Sequence, residues 1–182
     1  RSGTLCYWLL ESISAISGNF DRKGGNLIGE GIIDFASQAK DDPQMKLGFH
    51  REDDLPTVSG QQAAGMVADD ILNGHVRGMI VEASNPLLAC GNPDGRLQRA
   101  MSDLELLVSV DLFRNETGNL AHYILPATTW MERSGMPYAL QSFVGCTATP
   151  YLYASGPALE PPSGVRHEWW IYVRLADKLG VT

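Results

Sequence analysis

Apolar residues near the start of the chain recur at helical spacing. Leu5, Trp8, Leu9, Ile13 and Ile16 stand three or four apart, which predicts a helix from Thr4 to Ser17 with one apolar stripe. Gly18 and Asn19 supply a left-handed stop, and Gly24-Gly25-Asn26 a turn. Residues 27–58 show no sustained period and hold two charged surface runs, Lys40-Asp41-Asp42-Pro43 and Arg51-Glu52-Asp53-Asp54. Ser59 followed by Gln62 matches a capping box. It predicts a helix whose buried face is Ala64, Val67, Ala68, Ile71 and Leu72, ended by Gly74.

From Gly78 the pattern changes to short apolar runs separated by helical stretches. Strands are predicted at Gly78–Ala83, Leu104–Val110 and Tyr123–Leu125, with helices at Asp94–Met101 and Glu116–Ala121 between them. Residues 134–164 read as extended loop. A last helix is expected over Val165–Leu179, with Trp169, Val173, Ala176 and Leu179 on its inner face and Gly180 as its cap. Strands alternating with helices predict an α/β fold: a doubly wound, Rossmann-like, mostly parallel sheet with helices on both faces. The expected division is 1–26 as a helix and turn leading in, 27–58 as an irregular insertion, and 59–182 as the α/β domain.

Composition narrows the functional classes. The chain has 182 residues, enough for one domain with its own core. Its net charge is -7, and no cluster of Lys and Arg is present to grip a phosphate backbone, so nucleic acid is not an expected partner. Cys6, Cys90 and Cys146 are far apart, as are His50, His75, His122 and His167; neither set has metal-ligand spacing. No apolar run approaches the ~20 residues of a membrane span. No signal peptide is visible, and the compartment stays open, with the cytoplasm favoured over the periplasm. The first residue is Arg1, which suggests a piece of a longer polypeptide.

Ligands of open parallel sheets bind beyond the carboxyl ends of the strands. Two such ends carry polar residues here: Ser84-Asn85-Pro86 and Val110-Asp111. A carboxylate at Asp111 can accept the paired N1–H and N2–H donors of guanine, which adenine lacks; equally, Asp111 can end a strand and cap a turn. Asn85 is either a ligand-facing amide or half of an Asn-Pro turn. Arg133 is a candidate phosphate donor, or the partner of Glu132 or Glu168. Glu168 either meets a base or ribose hydroxyl or complements a helix dipole. There is no P-loop, dinucleotide fingerprint or nucleophile elbow. Asn115-Glu116-Thr117 matches the glycosylation pattern only weakly.

The order of strings from Gly78 to Gly180 resembles the third domain of the molybdopterin bis-guanine-dinucleotide oxidoreductases, the dimethyl sulfoxide reductase superfamily. The strings are Ser84-Asn85-Pro86-Leu87, Val108-Ser109-Val110-Asp111, Glu116-Thr117, Ile124-Leu125-Pro126-Ala127-Thr128-Thr129, Trp130-Met131-Glu132-Arg133-Ser134-Gly135 and Arg166-His167-Glu168-Trp169-Trp170, running into Leu175-Ala176-Asp177-Lys178-Leu179-Gly180. Upstream, Ile16-Ser17-Gly18-Asn19-Phe20-Asp21-Arg22-Lys23-Gly24-Gly25 resembles the segment preceding that domain. The chain departs from the family pattern at Ala121-His122, where Ala-Asp is common, and over Tyr138 to Cys146.

The resemblance implies that Asn85, Val110, Asp111, Arg133 and Glu168 are cofactor-binding, with Asp111 reading guanine. It implies a molybdenum or tungsten molybdopterin guanine dinucleotide in a parent enzyme, and an iron–sulfur cluster there that nothing in this chain ligates. The parent would carry out two-electron redox on a small substrate such as formate, nitrate, a sulfur oxyanion or an N- or S-oxide. This part would cradle one guanosine arm and be inactive alone. Its expected partners are the remaining domains and an electron-transfer subunit, with no direct membrane insertion. The alternative is a noncatalytic α/β scaffold of an oxidoreductase complex.

Overall fold

The computed structural model describes residues 2–27, 63–136 and 153–181. The chain divides into two compact units, Arg1–Asp42 with Met136–Ala154, and Pro43–Gly135 with Ser155–Thr182.

In the first unit, helix α1 spans Gly3–Ile16. Its end is a Schellman motif: Gly18 takes φ 71°, its N–H donates to the Ala15 carbonyl at 3.1 Å, and that of Asn19 donates to Ser14 at 2.9 Å. The following turn folds back through Asn26, whose amide donates to Ser14 Oγ at 2.8 Å. Gly25 has no room for a side chain, because a Cβ there would lie 2.2 Å from the Asn19 carbonyl oxygen. The apolar stripe forms as its spacing predicts, yet no residue of α1 is buried.

The second unit holds the α/β core. A 3₁₀ turn at Ala64–Met66 leads into α2, Val67–Leu72. Then come β1 (Gly78–Glu82), the short helix α3 (Pro86–Ala89), a 3₁₀ turn at Pro93–Gly95, and α4 (Arg96–Ser102). β2 (Leu106–Asp111), α5 (Glu116–Leu120), β3 (Tyr123–Pro126) and α6 (Glu168–Leu179) complete it. The strands form a parallel sheet in the order β1-β2-β3. Gly78 pairs with Leu106 and Glu82 with Val110; Val108 pairs with Tyr123 and Asp111 with Pro126. All carboxyl ends therefore lie along one edge.

Alternation along the strands divides the sheet into two faces. On one, Val81 and Leu107 join Ala68, Ile71, Leu97, Ala100, Met101 and Leu104 in the core, beneath α2 and α4. On the other, Ile80, Leu106, Val108, Val110 and Leu125 face α6 across an apolar groove of about 670 Å³. Helix α6 is fastened at its start: Ala127 and Arg166 form a parallel bridge, and the buried Thr128 hydroxyl lies 3.0 Å from His167 Nδ1.

Some local expectations change. Ala63 is extended and heads the turn into α2; Ser59 and Gln62, like all of the expected insertion 27–58 except Leu27, lie outside the described residues. Ala68 and Ile71 are buried, Val67 is half-buried, and Ala64 and Leu72 are exposed. Helix α6 starts at Glu168, three residues later than expected, because Arg166 is held extended by its bridge to Ala127. Its inner face is correspondingly different. Of the expected residues Leu179 lines the groove and Ala176 is half-buried, whereas Trp169 and Val173 are exposed and Trp170, Ile171, Tyr172 and Leu175 line the groove instead.

Candidate functional site

The carboxyl edge of the sheet is built by three chain exits. The chain leaves β1 through Ala83, whose φ of 45° falls in the left-handed region that non-glycine residues rarely enter. Its N–H donates to the Val110 carbonyl at 2.9 Å, extending the ladder one step past the strand. Asn85 then heads α3, with Pro86 at the first helical position, where a missing N–H costs nothing.

The Asn85 side chain leaves its own helix uncapped and reaches α5 instead. Its Oδ1 accepts from the Thr117 hydroxyl at 2.8 Å and from the Thr117 N–H at 3.3 Å. Its Nδ2 donates to Glu116 Oε2 at 2.5 Å. Thr117 is fully buried, and its hydroxyl accepts in turn from the Leu87 N–H at 3.3 Å. The Glu116 carboxyl is held below the usual carboxylate range, first by its own backbone N–H and then by the Asn85 amide, against the opposing effect of burial.

Asp111 ends β2 half-buried. Its Oδ1 accepts from Leu112 N–H at 2.7 Å, with Phe113 N–H at a marginal 3.5 Å. Its Oδ2 accepts from Asn115 Nδ2 at 3.0 Å. Asn115 is the N-cap of α5, accepting from Gly118 N–H at 2.8 Å. Asn85 and Asp111 are thus bound to the same short helix, one through Glu116 and Thr117, the other through Asn115. Val110, fully buried between them in sequence, contributes packing; its carbonyl is taken by Ala83.

Arg133 and Glu168 meet each other. Arg133 Nη1 donates to Glu168 Oε1 at 2.5 Å, with the glutamate the more buried partner. Of the pairings open to Arg133 in the sequence, the structure selects Glu168; Glu132 accepts instead from Thr129 N–H at 3.0 Å. Among the described residues, no hydrogen bond joins the Arg133–Glu168 pair to the Asn85–Asp111 network. Helix α6 reaches the end of β1 through Tyr172, whose hydroxyl donates to Glu82 Oε2 at 2.6 Å. Burial first, then Glu82 and Glu168, pushes this phenol up to about 12.

The residues that sequence reasoning missed are Asn115, Glu116, Thr117, Glu82 and Tyr172. For the first three a signal was available: Asn115 followed by Glu116 at the start of a helical stretch is an N-cap with an acidic first turn. Glu82 and Tyr172 are 90 positions apart, and no local pattern joins them. His122 also gains a role. Its Nδ1 accepts from Leu107 N–H at 2.9 Å, so it supplies the acceptor that a carboxylate at this position can supply equally well.

Among the described residues, no helix is long and apolar enough to cross a membrane, and no group of three His, Cys, Asp or Glu side chains is placed to hold a metal ion.

Comparison with known proteins places this architecture. The family model for molybdopterin oxidoreductases matches residues 1–178. The assimilatory nitrate reductase catalytic subunit of Bacillus subtilis is 33% identical over 134 residues, covering 73% of this chain and 17% of that protein. The F420-dependent formate dehydrogenase subunit alpha of Methanocaldococcus jannaschii is 30% identical over 128 residues, 70% of this chain and 17% of that protein. Acetylene hydratase from Pelobacter acetylenicus superposes with a TM-score of 0.59 at 21% identity, over 68% of this chain and 16% of that one, a likeness of fold. The chain therefore spans about a sixth of the length of these relatives. With a family match over nearly the whole chain and an α/β sheet of the same fold, this chain belongs to the molybdopterin oxidoreductase family, whose members use a molybdenum or tungsten pterin cofactor.

Proposed function

We propose that this chain cradles the guanosine arm of a molybdopterin guanine dinucleotide, as one part of a larger oxidoreductase acting on a small substrate. The observation that carries the reading is the Asp111 carboxylate, which stands at the carboxyl end of the middle strand of the described sheet, with a lone pair left on Oδ2 beyond Asn115 and only the marginal 3.5 Å Phe113 contact on Oδ1 beyond Leu112 N–H. Guanine offers two adjacent N–H donors, and an ionised carboxylate accepts both. The residues fit the group on that ground. Asp111 would hold the base and Asn85 an acceptor atom of the ligand; Arg133, with donors to spare beyond Glu168, would meet a phosphate. When bound, the metal and pterin supply the two-electron redox chemistry. This chain supplies binding and orientation, and the remaining domains and an electron-transfer subunit would supply the rest. The relatives are by name a reductase, a dehydrogenase and a hydratase, so the substrate is left open.

The test is Asp111→Asn in the full-length protein, with guanosine nucleotide per polypeptide measured after acid hydrolysis. A fall of tenfold or more in cofactor retained through a heat challenge is expected. Retention equal to wild type would overturn the reading. A noncatalytic scaffold is the second reading. It draws on the same carboxylate, whose bonds to Leu112, Phe113 and Asn115 also describe a capped turn. On that reading Asp111→Asn lowers thermal stability, and the full-length protein carries no guanine nucleotide at all.

A further inference from the structure

We infer that the start of α5 fixes the hydrogen-bonding polarity of this site, so that toward a ligand Asn85 can only donate and Asp111 can only accept; the inference rests on the nucleotide-site reading above.

An asparagine amide is ambiguous until its partners are counted. Here they leave one solution. The Thr117 main-chain N–H can only donate, so the atom facing it is the oxygen. The Thr117 hydroxyl accepts from Leu87 N–H and, facing an amide oxygen that has no proton, can only donate to it. Both lone pairs of Asn85 Oδ1 are then used. On the other side Glu116, ionised, can only accept, and it takes one of the two Nδ2 protons. Among the described residues one N–H remains, and it is the sole hydrogen-bonding capacity left to the Asn85 side chain.

Asp111 is settled in the same manner. Asn115 cannot turn over, because its oxygen caps Gly118 N–H and its amide must therefore face Asp111 Oδ2. A carboxylate has no proton to give. Asn115, Glu116 and Thr117 are thus positioning residues: each acts on a ligand only through Asp111 or Asn85. The ligand must bring donors to Asp111 and an oxygen or ring-nitrogen acceptor to Asn85. A guanosine nucleotide has both, in its N1–H and N2–H donors and in its carbonyl, ribose and phosphate oxygens.

The test reverses one side of this polarity without altering its shape. Asn85→Asp keeps the acceptors for Thr117 but removes the free N–H and sets two carboxylates against each other. Adding Glu116→Gln restores the internal bond with its direction reversed. In the full-length protein, Asn85→Asp should lower both the thermal midpoint and the guanosine nucleotide retained through a heat challenge. The double variant Asn85→Asp/Glu116→Gln should recover the midpoint while retention stays about tenfold low, the size expected for one lost charge-adjacent hydrogen bond. Retention that recovers together with the midpoint overturns the inference. Should the double variant leave the midpoint low, Thr117 decides. Thr117→Val removes the closer of the two donors that hold Asn85 Oδ1, leaving the main-chain N–H alone on that oxygen, and should loosen the amide and reduce retention several-fold; Thr117→Ser, which keeps the hydroxyl, should return it, and full retention in Thr117→Val overturns the inference. Asp111→Asn, run beside these, reports on the nucleotide reading alone. Loss there with full retention in the double variant sinks the polarity inference and leaves that reading standing.

Discussion

The two faces of the central sheet are made by alternate residues of the same strands, and they end in different environments. On one face Leu107 is fully buried against Met101 and Ala100. On the other, the adjacent Leu106 is 43% exposed and Ile80 is 42% exposed. Both faces are equally apolar in sequence, so hydrophobicity does not distinguish them. What distinguishes them is cover. The first face is closed by α2 and α4, whose small and flexible residues, Ala68, Ala100 and Met101, let the helices approach. Among the described residues the second has α6 alone, held at its start by the Ala127–Arg166 bridge and along its length by Tyr172 on Glu82. The packed face carries the stability of this unit, and the open face is a hydrophobic groove with a tethered cover.

The largest expected effect follows directly. Leu107→Ala should destabilise the protein by about 2–5 kcal/mol, the range for emptying a closed core position. Ile80→Ala, one strand away on the other face, should cost well under half of that, because the removed methylenes already touch water. Chemical denaturation of the two variants measures both. Equal losses would mean that the groove is as closed as the core.

How far the sequence reveals this contrast depends on the length of each signal. The strands were legible because each apolar run is bounded by its own stop: Ser84-Asn85-Pro86 after β1, Asp111 after β2, Pro126 at the end of β3. The α/β class followed from their alternation with helices. The inner face of α6 was not legible, since Trp169, Trp170, Ile171, Tyr172 and Val173 are consecutive and large, and no helical period selects among them. The site was legible in part. Asp111 and Asn85 stood out as polar residues at strand ends, and Arg133 and Glu168 as charges at landmarks. That Asn85 and Asp111 share α5 is a tertiary fact, written in side chains 31 and 32 positions apart. That Arg133 and Glu168 meet each other, 35 positions apart, is another.

The cap of α5 gives the next effect in size. Asn115→Ala removes the acceptor for Gly118 N–H and the donor to Asp111. A cost of about 1–2 kcal/mol is expected for the cap, less than for Leu107→Ala. Asn115→Ser, able to cap but too short to tie Asp111, should recover most of that stability without recovering cofactor retention. Full recovery of both would show that Asn115 acts only as a helix cap and that its bond to Asp111 does not matter to the ligand.

The tether over the open face titrates. The Tyr172 phenol is pushed from 10.0 up to about 12 by burial, Glu82 and Glu168. The folded protein therefore holds this proton more tightly than the unfolded chain does. The stability it contributes is complete below about pH 10 and is lost as pH rises toward about 12. Solvent screening at this half-buried position makes the loss smaller than that at Asn115. Tyr172→Phe should flatten the decline in thermal midpoint across that window, and a variant that declines as steeply as wild type would show that α6 is held by other contacts.

The smallest effect tests whether the packed face is as well satisfied as it is closed. Ser109 lies in the middle of β2 on that face, wholly buried beneath Gly118, and its hydroxyl has no hydrogen-bond partner among the described residues. Burying a hydroxyl without a partner is unfavourable, whereas a methyl of nearly the same size loses nothing by being there. Ser109→Ala should therefore leave stability unchanged or raise it by up to about 1 kcal/mol, opposite in sign to Leu107→Ala two residues earlier on the same strand and the same face. A loss of more than about 1 kcal/mol in denaturation would mean that the hydroxyl is engaged after all, and that this face owes part of its strength to a polar contact in addition to its closely packed side chains.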